Sequence, residues 1–256
     1  MHAHCRHDRI NRLQPETISL LQANDVELLS ISNPFHDGYP AGNKIAGAAL
    51  EREAQFSVFL DTDSFLIRET SFLDIAEPGK ICLCPETRNA WTNRPRVWRR
   101  VYAQFGLPKP TPDLQLLLGD LSHPFFNAGM VLFPSGDFGK LWLDTALNID
   151  EMEGIHGRRP WLDQISLPVA VARLGDGALK IVDRAWNDTP DIPNEDTRLL
   201  HYHRPRRLRV RGKMHLADVV FKASDSAFAS YADVIAFYSG KDVVADAKAL
   251  NFKDDA

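Results

Sequence analysis

The sequence predicts an α/β fold, and three observations carry that prediction. Segments with the two-residue period of strands alternate with segments whose apolar residues recur at helical spacing. The stretch Phe56–Leu60 (FSVFL) is nearly all apolar, as expected of a strand covered on both faces. The chain of 256 residues is 44% hydrophobic and 25% charged, enough apolar material for a real core, which excludes global disorder.

The elements follow in order. Residues 15–24 read as a helix, with Pro15 in its first turn and Asn24 at its end. VELLSI (26–31) is a short strand. A turn-rich loop spans 33–42 and holds Pro34, Asp37, Gly38, Pro40 and Gly42. Residues 44–52 form a short helix that leads into the apolar strand. A strand is expected over 81–84. Trp98, Val101, Tyr102 and Phe105 mark one face of a helix stopped by Gly106. After a Pro-rich loop (108–112), a strand is expected over 130–133. Phe138, Leu141, Trp142, Thr145, Ala146 and Ile149 form the clearest helical stripe. A helix over 160–175 kinks at Pro168, a late strand covers 199–202, and Phe228, Tyr231, Ile235 and Tyr238 make a C-terminal helical face. Residues 251–256 fray. No stretch resembles a linker, so one domain over 1–256 is expected.

Composition removes several function classes. Thirty Lys and Arg against 34 Asp and Glu give a net charge of −4, no footprint for sequence-independent nucleic-acid binding. No apolar run approaches the roughly 18 residues of a membrane span, and the polar, His-rich first residues do not read as a signal peptide. Three cysteines fit a reducing compartment, and a cytoplasmic location is the expectation. Cys82 and Cys84 read as strand residues, and the N-terminal His2, His4, Cys5 and His7 lack a partner cluster that would make them a metal site. No G-x-S-x-G, Walker A or G-x-G-x-x-G motif is present.

Four segments carry candidate chemistry. Asp61-Thr62-Asp63 follows the apolar strand, where ligands gather in open α/β sheets. In extended backbone, residues two apart share a side, and two close carboxylates repel unless a cation or shared proton lies between them. A hard divalent ion, Mg²⁺ or Mn²⁺, suits such oxygen ligands; an isolated pair of solvated aspartates is the plainer alternative. Asn127 lies beside Ala128 and Gly129 ahead of a strand, where its amide could bond sugar hydroxyls and Gly129 could admit a ligand close to the backbone, or the segment is a plain turn. Asp163 and Gln164 fall near a helix start and could hold a polyhydroxylated substrate, or Asp163 simply favours the helix N-terminus. His201, in His201-Tyr202-His203, could complete a metal site and tilt it toward Mn²⁺; Arg204, Arg206 and Arg207 follow and could offset a diphosphate, or form a solvated basic stretch.

Taken together, Asn43-Lys44, FLDTDSFLIRE (59–69), FFNAGMVLFP (125–134), WLDQISL (161–167) and LLHYH (199–203) resemble the GT-A-fold glycosyltransferases, close to glycosyltransferase family 8 and its bacterial relatives. The resemblance implies a single GT-A-type domain with a mixed, mostly parallel sheet flanked by helices. It implies transfer of a sugar from a nucleotide-sugar donor to a hydroxyl acceptor with retained configuration. Asp61, Asp63 and His201 match the ligands of Mn²⁺ (or Mg²⁺). Lys44, Asn127 and Ala128 match donor-site positions, and Asp163 and Gln164 match the pair at the reaction centre. The phosphate-contacting Lys that the family carries after its late His is absent, and Arg204 stands as its replacement. The fold's opening nucleotide-binding strand has no visible counterpart: residues 1–14 read as irregular or incomplete, which favours a non-catalytic relative as the alternative. Nucleotidyl transfer is a further alternative, lacking the Gly-rich phosphate loop it needs. The polar loop 86–96 finds no place in this scheme.

Overall fold

The computed structural model describes residues 3–7, 9–35, 39–191 and 194–212. The expected C-terminal helical face and frayed tail lie outside the described residues, as do Asp37 and Gly38 of the turn-rich loop. The expected α/β class is present. The first helix, α1, spans Pro15–Ala23, and two short strands, β6 (Leu114–Gln115) and β7 (Leu121–Ser122), pair antiparallel with each other. The central sheet has four strands in the order β3 (Phe56–Leu60), β8 (Phe126–Pro134), β5 (Ile81–Pro85) and β9 (Leu179–Ile181). The sheet is mixed: β3 and β5 each pair antiparallel with β8, and β9 runs parallel to β5, so β8 alone opposes the other three.

Alternation along β5 and β8 divides the core. Ile81 and Leu83 with Val131 and Phe133 face one cluster, together with Trp98 and Tyr102 of α3 (Pro95–Ala103), Trp142 of α4 (Phe138–Glu151) and Leu162, Ile165 and Val169 of α5 (Leu162–Arg173). Cys82 and Cys84 with Met130 and Leu132 face the other, covered by Phe72, Trp186 and Leu199. This two-sided burial explains why β5 and β8 read as continuous apolar runs. The two strand cysteines are buried and free, as expected, and burial pushes the Cys84 thiol well above its ordinary value.

Helices α4 and α5 pack face to face, tied by a bond from Trp142 Nε1 to Ser166 Oγ at 2.9 Å. α5 carries Pro168 inside an unbroken helix of buried residues. Because α5 is enclosed nearly all round, burial outweighs the missing backbone donor. Helix α2 (Gly42–Ala48) is shorter than the expected 44–52 and lies against α4. At their contact, a Cβ on Gly139 would sit 1.8 Å from the Ala48 carbonyl oxygen.

Two findings depart from the sequence reading. The opening strand exists: β1 (Ala3–His7) pairs in parallel with β2 (Val26–Ser30), from Ala3 opposite Val26 to His7 opposite Ser30. Its composition (AHCRH) concealed it. The strand is only partly covered, so it needs little apolar alternation. Its side chains are fixed by polar contacts instead, His4 Nδ1 to Glu27 at 3.0 Å and Arg6 Nη1 to the Gly47 carbonyl. β1 supplies the strand whose absence from the sequence reading favoured a non-catalytic relative. The second departure is β4 (Ser64–Leu66), which the sequence did not suggest; it pairs antiparallel with β10 (Leu199–His201) and sets His201 opposite Ser64.

Gly139→Ala should lower stability by ~1–3 kcal/mol, the usual cost of overpacking, read as a lower urea midpoint at unchanged slope. An unchanged midpoint would mean that α2 and α4 do not approach as closely as this.

Candidate active site

The first carboxylates leave the sheet where β3 ends. The Asp61 amide donates to the Gly129 carbonyl at 2.8 Å, the last rung between β3 and β8. The chain then turns, with Ser64 Oγ bonded to the Asp61 carbonyl at 2.6 Å, and returns as β4. Because β4 pairs with β10, the turn brings Asp61 and Asp63 to the end of β10. There His201 Nε2 lies 3.1 Å from Asp63 Oδ1 and 3.7 Å from Asp61 Oδ2. The Tyr202 amide donates to the Asp63 carbonyl at 2.9 Å and fixes the register.

His201 is held from behind by β8. Asn127 Oδ1 accepts from the Gly129 amide at 2.8 Å, which identifies that atom as the amide oxygen, and lies 3.2 Å from His201 Nδ1. An acceptor there requires the proton on Nδ1, so Nε2 is the ring nitrogen turned toward the carboxylates, as in metal-ligating histidines. Gly129 completes the seat: a Cβ would fall 2.2 Å from His201 Nδ1. The segment expected as a turn before a strand is therefore part of β8. Its register against β5 shifts between Leu83 and Cys84, where the opposing residue moves from Val131 to Asn127. In this structure Asn127 Oδ1 and Gly129 both adjoin the histidine. The Ala128 side chain is fully buried in the main core.

Lys44, on α2, links this cluster to α5. Its Nζ lies 2.9 Å from Asp61 Oδ2 and 2.9 Å from Asp163 Oδ2. Burial works against its charge, but Asp163 and Asp61 outweigh it, and its pKa stands above the ordinary lysine value. Burial raises the Asp61 pKa, with Lys44 and His201 opposing. For Asp63, bonding and charge from His201 outweigh burial and leave its pKa lowered. Tyr39 OH bonds the Pro160 carbonyl at 2.8 Å and accepts from the Asp163 amide at 3.3 Å, closing the first turn of α5.

Gln164 brings in a residue that the sequence reading left unplaced. Glu86, where loop 86–96 begins, is buried, and its Oε2 accepts from Gln164 Nε2 at 2.8 Å. Its Oε1 accepts from the Thr87 amide and hydroxyl at 2.7 and 2.8 Å. The bond orients the Gln164 amide and leaves its Oε1 buried without a partner. Asn187, also missed, donates to Asn127 Oδ1 at 3.0 Å and leaves its own Oδ1 in the same condition. Neither was visible in sequence, because a lone Glu or Asn outside a motif signals nothing until the fold places it. His203 is a third addition, its ring centroid 3.9 Å from that of His201. Burial, then His201 and Arg207, push its pKa down to about 3, so its imidazole is neutral.

Of the arginines expected near a phosphate, Arg204 is exposed at the start of α6 (Pro205–Val210), and Arg207 is paired with Asp191 at 2.9 Å. The Arg206 side chain lies outside the described part of the structure. Three carboxylates thus face one ammonium, and the surplus negative charge surrounds His201 Nε2. That donor set fits a divalent cation, and the two buried acceptor oxygens without partners fit a hydroxylated ligand.

A family model, the Rhodobacterales glycosyltransferase domain, matches residues 2–175. The chain belongs to this glycosyltransferase family. Sugar transfer is therefore its class of activity. No curated protein matches it in sequence. Solved structures similar to this family member include mouse xyloside xylosyltransferase 1, at 14% identity and TM-score 0.43, covering 78% of this chain and 83% of that one. They also include the galactosyltransferase LgtC in complex with donor and acceptor sugar analogs, at 12% identity and TM-score 0.43 over 78% and 81%. Among the described residues no helix is long and apolar enough to cross a membrane.

Lys44→Met should cost this glycosyltransferase ~3–5 kcal/mol, because Asp163 and Asp61 then lose their shared buried counter-charge. Chemical denaturation of the metal-free protein checks it; a loss below 1 kcal/mol would show that the two carboxylates do not rely on Lys44.

Proposed function

We propose that the chain is a metal-dependent glycosyltransferase of GT-A type, one domain acting in the cytoplasm, that moves a sugar from a nucleotide-sugar donor to a hydroxyl acceptor. One observation carries this reading: Asp61 and Asp63 meet His201 Nε2 at the end of β3, beside a reaction-centre pair on α5. Asp61, Asp63 and His201 would hold Mn²⁺ (or Mg²⁺), which supplies Lewis acidity for a departing diphosphate.

The chain's own residues do the rest. Lys44 holds Asp61 and Asp163 at fixed separation, so the donor end and the sugar end of the site form one rigid unit. Asp163 has one oxygen on Lys44 and the other 3.3 Å from Tyr39 OH. Bound in this way, it suits electrostatic stabilisation of positive charge at the anomeric carbon better than nucleophilic attack. Gln164 Oε1, with its amide nitrogen anchored on Glu86, offers an oriented dipole to the same charge. Arg204, exposed beside His203, suits a diphosphate in place of the absent lysine. Retention of configuration is the outcome that the family 8 resemblance implies.

A thermal-shift screen of nucleoside diphosphates and nucleotide sugars, with and without Mn²⁺, tests the reading. A ligand that binds only the folded state raises the melting temperature. One base should give a shift that requires Mn²⁺ and vanishes in Asp63→Ala; a shift indifferent to both the metal and Asp63 would refute the donor-site assignment. Glu86→Gln should lower kcat by about 10²-fold with KM little changed, the scale of a misplaced reacting geometry. Steady-state kinetics with the donor found in the screen would show it, and a change confined to KM would instead make Glu86 a binding residue.

A further inference from the structure

His203 is not accounted for by the ligand set above, and three features set it apart. It has φ of 58°, a left-handed backbone that a non-glycine residue rarely adopts and that concentrates at functional sites. That conformation brings its ring against the His201 ring, with centroids 3.9 Å apart and planes 37° from each other. Donor atoms of Asp63, His201 and His203 all lie within 4.8 Å of one another. Ligands about 2.1 Å from a shared ion reach such spacings with small side-chain rotations. Among the described residues this is the one group of three or more such side chains so gathered. Asp61 is not in it, and its Oδ2 is engaged by Lys44 at 2.9 Å.

Resting on the metal-dependent reading above, we infer that His203 is a further protein ligand of the divalent cation, joining Asp61, Asp63 and His201 so that two imidazoles serve the ion. The consequence is selectivity. Carboxylates alone suit Mg²⁺ as well as Mn²⁺, whereas imidazole nitrogen favours first-row transition ions. A centre with two imidazoles therefore binds first-row transition ions, Mn²⁺ and Co²⁺ among them, in preference to Mg²⁺. The strained residue also has a structural reason under this inference: the left-handed turn after Tyr202 is what returns the second ring to the first. Tyr202 is anchored independently, by its amide on the Asp63 carbonyl and its ring 5.5 Å from Phe65.

The test is metal binding by the full chain without sugar donor. Asparagine tolerates the left-handed region, so His203→Asn removes the imidazole while keeping the backbone. Mn²⁺ and Co²⁺ affinities should fall by roughly 10–100-fold in His203→Asn, at least the loss seen when ligand-supporting groups are removed, while Mg²⁺ affinity changes less than threefold. Electron-spin-echo spectra of the Mn²⁺-loaded protein should show two imidazole nitrogens in the natural chain and one in His203→Asn. If His201→Ala abolishes Mn²⁺ binding while His203→Asn leaves affinity and spectra unchanged, the metal centre stands and His203 is not a ligand. If neither His201→Ala nor Asp63→Ala alters Mn²⁺ binding, the centre itself is misplaced and the inference falls with it.

Discussion

The ammonium of Lys44, gripped by Asp61 and Asp163, is the interaction on which the rest of the site depends. It joins three elements that are distant in sequence: α2, the end of β3 and the start of α5. Without it two carboxylates would face each other in a poorly hydrated space, and each is too buried to be neutralised by water alone. The residues around it serve the same constraint. Gly139 lets α4 approach the end of α2, and Tyr39 closes the first turn of α5 so that Asp163 faces inward.

Much of the architecture was legible because the elements that build it are apolar in the right period. The α4 stripe and α5 lie where their patterns put them, since enclosure by the core is what wrote those patterns; β3 also lies where its apolar run put it, but as an edge strand it is only partly buried rather than covered on both faces. β1 was illegible for the converse reason. A half-exposed strand built from His4, Arg6 and His7 is specified by a backbone ladder and polar side-chain contacts, and neither leaves a hydrophobic signature. β4 is three residues long and exists through its pairing with β10, more than 130 residues later, a relation no local window contains.

The site shows the same division. Aspartates two apart after an apolar strand, and a His at the end of a late one, carry motifs, and the structure brings Asp61, Asp63, His201, Lys44 and Asp163 together. The motif around Asn127 was equally visible, and the structure adds a use that the sequence reading did not include. Its oxygen orients an imidazole, and Gly129 clears room for that ring. Sequence signals which residues are constrained more readily than by what. Glu86, Asn187 and His203 matter through geometry alone, one behind an amide, one behind an asparagine and one beside a histidine.

The pairing of β4 with β10 has a bearing on how the protein is made. The carboxylate turn emerges from the ribosome early, and the strand that registers it emerges near residue 200. Synthesis runs from the N-terminus, so the segments of α2, β3 and their acidic turn are made well before β10 and either imidazole. The nascent chain therefore carries an electronegative cluster, with Lys44 as its early counter-charge, before it can hold an ion in the final arrangement. A cation captured during synthesis would have to be re-coordinated when the late strand docks. Assembly of the centre therefore waits on β10, and a chain stopped before residue 199 would lack both imidazoles and the Leu199 side chain that covers one face of the sheet.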